Sequence, residues 1–102
     1  TGGTIVVNDG SNNADFRVES DGNANMIFVD AGNDKVGIGM NNPASTLDVT
    51  GNVKISGANE LLLGSMTTTQ RNALTAANGM IIYNSTDNKF QGYENGGWAN
   101  LI

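Results

Sequence analysis

The chain has 102 residues, of which 38% are hydrophobic and only 6% aromatic, with fourteen Gly, one Pro, no Cys and no His. A compact monomer of this length buries roughly two-thirds of its unfolded surface; the material for a core is thin here, and without disulfides or histidine zinc ligands the staple left is association with other copies. Ten Asp plus Glu against five Lys plus Arg give a net charge of −5, the wrong sign for a phosphate backbone, so no nucleic-acid partner is expected.

The acidic residues are scattered, as on a solvated surface. No apolar run is long enough for a membrane-spanning helix, so no membrane insertion is expected, and no basic segment leading into an apolar one marks a signal peptide. The absence of Cys leaves the redox compartment open. The chain begins at Thr1, which points to an excised or mature piece of something longer.

Asn13, Asn23, Asn33, Asn42 and Asn52 recur about every ten residues, and Gly22, Gly32 and Gly51 precede three of them, so turns are expected at that spacing. Between the turns lie β-prone runs at Thr4–Val7, Asp15–Glu19, Met26–Asp30, Lys35–Met40, Thr46–Val49 and Val53–Ser56. Phe16 and Val18 alternate with Arg17 and Glu19, which predicts a strand with one wet face. Met26-Ile-Phe-Val29 is apolar on both faces, and in so small a chain one of them is expected against a neighbouring subunit.

From Ser45 to Ser56, Leu47, Val49, Val53 and Ile55 fall on odd positions and polar residues on every even one, a β period of two. Gly51-Asn52 suits a tight turn or bulge, so two strands are expected to meet there. Gly37 and Gly39 leave bare the face opposite Val36 and Ile38, which predicts a close approach by something else, expected to be a neighbouring subunit.

After Gly57 the character changes. Asn59-Glu-Leu-Leu-Leu63 is a short apolar link. Thr67-Thr-Thr-Gln70 reads as a capping box opening a helix of about two turns, over residues 68 to 76. Asn78-Gly79 suits a left-handed cap at its end. Strands are then expected at Met80–Tyr83, Lys89–Glu94 and Trp98–Ile102, with turns at 84–88 and 95–97. The fold class is mainly β. Residues 1–57 form a repetitive β shaft, 58–66 a link, and 67–102 a small α+β knob of one short helix and a β-meander.

Val36-Gly-Ile-Gly, then Asn42-Pro43 and Leu47-Asp-Val-Thr-Gly-Asn-Val53, resemble a segment common in tail-fibre and other virion-fibre proteins of bacteriophages. Thr67–Leu74, Asn78–Asn84 and Phe90–Trp98 resemble a module that recurs at fibre ends. Together these motifs span roughly residues 14 to 102. The resemblance implies an elongated, interwound homotrimer located in the virion, without chemistry of its own, in contact with other virion structural proteins. It implies a distal fibre part serving attachment or host-receptor contact. The alternatives are a bacterial surface adhesin or lectin-like module, or a trimeric capsid decoration protein.

Chemistry is sparse. Without His or Cys, the common Ser-His-Asp, Cys-His and metal-histidine constellations are excluded, and no enzyme is expected. Asp30 with Asp34, or Asp15 with Glu19, could serve as an acid–base pair, but acidic residues beside Gly and Asn are more often turn formers. Asp30-Ala-Gly-Asn-Asp34 lacks the ligand spacing and closing Glu of an EF-hand, and no metal or cofactor is expected. Val36-Gly-Ile-Gly-Met-Asn lacks the third glycine of a dinucleotide fingerprint. Asn84-Ser-Thr86 is formally a glycosylation sequon and reads as an exposed turn.

Tyr83, Phe90, Tyr93 and Trp98 supply most of the aromatic residues, on strands around polar turns. They are either the core of the knob or a sugar-stacking surface. As a binding surface, its residues would be Tyr93, Trp98, Asn95, Asn88 and Asp87, with Asn84 and Asn100 nearby, and its ligand a host cell-surface glycan.

Overall fold

The computed structural model describes residues 2–102. Eight short strands form two four-stranded sheets, and one helix accompanies the second sheet. The chain divides into two compact units, a first ending at Lys54 and a second spanning Ile55–Ile102.

The first unit holds β1 (Phe16–Val18), β2 (Ile27–Asp30), β3 (Lys35–Ile38) and β4 (Leu47–Val49), hydrogen-bonded in that order. β1 and β2 form an antiparallel hairpin whose turn is set by Ser20, which accepts at Oγ from Asn23 N (3.1 Å) while Ser20 N donates to Asn23 O. β2 and β3 are joined by the turn at Ala31–Asp34. There Asp30 accepts from the backbone N and side-chain amide of Asn33, and Asp34 takes the left-handed conformation at φ 56°. The Asp30 carboxylate therefore acts as a turn former.

β4 runs parallel to β3, which corrects the hairpin expected at Gly51-Asn52. Leu47 pairs with Val36 and Val49 with Ile38, across a connection of residues 39–46. Lys35 Nζ donates to Ala44 O, and Ala44 N donates to Asp48, which tie that connection down. Once β4 is satisfied on β3, none of the described residues pairs with Val53–Ser56. The segment forms no strand, and Val53 stays 74% exposed. Thr4–Val7 likewise has no strand partner and its apolar side chains are exposed. Alternation predicts which side a strand would bury, but a strand also needs a neighbour for its backbone groups.

The close approach at Gly37 is made from within the chain. A Cβ there would stand 2.8 Å from the Met40 carbonyl oxygen and 3.2 Å from its side chain, and one at Gly39 would stand 3.2 Å from Thr50 O. These glycines are explained by Met40 and Thr50, not by a neighbouring subunit as expected.

The second unit holds β5 (Ser65–Met66), α1 (Thr68–Asn72), β6 (Ile81–Asn84), β7 (Lys89–Glu94) and β8 (Gly97–Asn100). β5, within the expected link, pairs parallel with β6, so the three-strand meander becomes a four-stranded sheet. The capping box at α1 forms: Thr67 Oγ1 accepts from Gln70 N (3.2 Å) and Gln70 Oε1 accepts from Thr67 N (2.9 Å). The helix is five residues long rather than two full turns, because its contacts with the sheet come through Thr68 and Arg71 and nothing beyond Asn72 anchors it. Gly79 does take a positive φ, but it leads into β6 and donates to Tyr93 O instead of capping the helix.

Candidate functional site

Residues directly opposed across a ladder share a face of the sheet. In the first unit Phe16 opposes Val29, Val18 opposes Ile27, Ile27 and Val29 oppose Ile38 and Val36, and these oppose Val49 and Leu47. One face is thus made of eight apolar side chains, two from each strand. The other carries Arg17, Asp30, Lys35 and Asp48 with Phe28 and Gly37. Leu47 is 61% exposed, Phe16, Val18 and Ile27 are also exposed, and Val29, Val36, Ile38 and Val49 are half-buried, so the apolar face is only partly covered by its own chain. A concavity of about 380 Å³ opens beside Phe16 and Val29, walled by Val7, Ala14 and the loop of Asn8 and Asn12. Those two Asn residues bond one another, Asn12 N donating to Asn8 Oδ1.

The second sheet also has unlike faces. Ile82, Asn84, Gln91, Tyr93, Trp98 and Asn100 share the face that α1 covers. Among the described residues of the second unit Ile82 is the one buried aliphatic or aromatic side chain, and beside it Asn84 is 0% and Gln91 3% exposed. These two amides organise a polar core. Asn84 Nδ2 donates to Thr68 Oγ1 (3.0 Å) and Gln91 Oε1 (3.0 Å), while its Oδ1 accepts from the backbone of Thr86 and Asp87. Gln91 accepts from Arg71 Nη1 (2.9 Å) and donates to Asn100 Oδ1 and Asp87 Oδ2. The opposite face carries Ile81, Tyr83, Phe90, Ala99 and Leu101 around Gly92, with Ile81, Phe90 and Leu101 exposed.

The expected glycan-binding residues fall at the two ends of β7. Asp87 and Asn88 lie in the β6–β7 turn, whereas Tyr93, Asn95 and Trp98 surround the β7–β8 turn. Four extended residues stand between Asn88 and Tyr93, which puts them about 17 Å apart. Asp87 serves the polar core, and Asn88 and Asn95 supply the positive φ of their turns, 54° and 48°. Tyr93 and Trp98 pack edge to face at 5.1 Å, the Arg71 guanidinium stands 5.7 Å over the Trp98 ring, and the Tyr93 hydroxyl donates to Gly96 O. Asn84 is inside and Asn100 is bonded to Gln91.

The polar core went unread in the sequence. Its signal was the place of Gln91 in β7, between Phe90 and Gly92 and so on the same face as Ile82 once the loop at 85–88 sets the register.

A chain that finishes its ladders yet leaves an apolar face on each sheet is a component made to associate. The model of the phage tail like trimerisation region matches residues 36–102, 67 of the 102 residues, and the chain belongs to that family. No curated protein and no solved structure matches the chain significantly. Membership makes it a trimerising, fibre-type structural protein of the phage-tail kind.

Proposed function

We propose that this chain is a trimerising part of a phage virion fibre, in which three copies close over the apolar faces that one copy leaves open. The observation that carries the reading is that, within the matched residues, the first sheet turns Val36, Ile38, Leu47 and Val49 to one face and Asp48 to the other. Burying the first removes apolar area from water at about 25 cal/mol per Å², while burying the second would strand a charge. Each copy then contributes structure and no reaction. Residues 1–57 serve as the shaft, 58–66 as a link whose last two residues form β5 of the second sheet, and 67–102 as a knob, with other virion proteins as the neighbours of the trimer.

Attachment falls to the knob in this reading. Asn88 and Asn95 are exposed polar groups on tight turns, and repetition by the threefold axis supplies avidity to weak contacts with a host-surface glycan. Sedimentation equilibrium of the purified chain is expected to give three times the 10.6 kDa of one copy. A single-chain mass at micromolar concentration would remove the reading.

A further inference from the structure

The apolar face of the first sheet reaches beyond the segment that carries the family match. Val36, Ile38, Leu47 and Val49 lie within residues 36–102, whereas Phe16, Val18, Ile27 and Val29 precede them. The two sets are one surface, because β2 is laddered to β3 with Ile27 opposite Ile38 and Val29 opposite Val36. We propose that the β1–β2 hairpin belongs to the subunit interface, so that copies of this chain associate through all eight side chains and residues 16–30 extend the trimerising surface. The proposal rests on the trimerising reading above and adds to it which residues take part.

Continuity is one argument and width is the other. Three sheets closing around a threefold axis must each stand half of the usual ~10 Å sheet spacing from it, roughly 5 Å. An equilateral section with that clearance has sides of roughly 17 Å, the width of three to four strands at ~4.8 Å each. β1 to β4 supply four strands. β3 and β4 alone would make sides of about 10 Å and leave about 3 Å to the axis, too little for Val, Ile and Leu side chains at ordinary carbon contact distances. Charge fixes which face turns inward, since Arg17 on β1 and Asp30 on β2 lie on the side away from Phe16, Val18, Ile27 and Val29.

The chain has no cysteine, so single thiols report cleanly. Ile27→Cys places one on the apolar face of β2, and Arg17→Cys places one on the charged face of β1. A short bis-maleimide added to the purified, folded variants is expected to link two chains through residue 27 and to leave residue 17 as single chains. Val18→Lys is expected to loosen the trimer at least tenfold in sedimentation, while Arg17→Ala leaves both the trimer and its circular dichroism unchanged. A trimeric wild type whose residue-27 thiol does not link copies overturns the inference and spares the trimerising reading. A monomeric wild type overturns that reading itself. Linking of residue 27 only to another virion protein in a mixture assigns the face to that protein and also overturns the inference.

Discussion

Asn84 illustrates how a residue read as a turn becomes the centre of a core. Its amide joins α1, the β6–β7 turn and β7 at once, and its side chain is wholly buried. A net hydrogen bond contributes little, but a buried donor or acceptor left unpaired costs the full desolvation of that group. Asn84→Leu removes one member and abandons Thr68 Oγ1 and the amides of Thr86 and Asp87, so we expect a loss of about 3 kcal/mol in the second unit. Urea unfolding followed by Trp98 fluorescence measures it. An unchanged midpoint would mean that water replaces the amide without cost. The Arg17–Glu19 pair is a contrasting case, at 3.8 Å with both side chains more than half exposed, and its removal is expected to change little.

Among the elements, α1 is the one whose existence rests on local chemistry. It has five residues and buries none of them, and isolated helices of that length do not persist in water. The capping box is therefore a large share of what holds it, with Arg71 the tether to Gln91 and Trp98. Thr67→Ala is expected to cost about 0.5–2 kcal/mol. Hydrogen exchange should show faster opening at residues 67–74, while the amides of β1 to β4 keep their protection; uniform loosening would contradict a locally held helix. The cap was legible because a capping box is a pattern within four residues. So were the β1–β2 and β2–β3 turns, where Asn and Gly mark the reversals, and β7, whose ends at Lys89 and Glu94 coincide with the expected run. The parallel partners were not legible. β4 on β3 and β5 on β6 depend on segments brought together across intervening chain, and two residues of β5 leave no periodicity to read. The residues expected at a glycan surface lie apart for a related reason, since closeness along the sequence places them toward opposite ends of one strand.

For the whole molecule the decisive quantity is how little one copy buries. Among the described residues a single large aliphatic side chain, Ile82, is buried, while Ile5, Leu47, Val53, Leu62, Ile81 and Leu101 are all more than half exposed. Conformational entropy opposes folding by about 1–2 kcal/mol per residue for the backbone alone, and a chain of this size meets it with apolar burial. Folding and association should then be one transition, three unfolded chains giving one folded trimer, and its midpoint must depend on protein concentration. Each tenfold rise in concentration adds about 2.7 kcal per mole of trimer through two factors of RT ln 10. With an unfolding entropy of about 2.1 cal/mol/K per residue, three chains lose roughly 0.6 kcal/mol/K at the midpoint, so the melting temperature should climb by about 4 °C per decade. Calorimetry between roughly 5 and 500 μM spans two decades and a shift of about 8 °C, well outside instrumental scatter. A midpoint that stays fixed over that range would mean that one copy is stable alone, and the exposed apolar faces would then need another explanation.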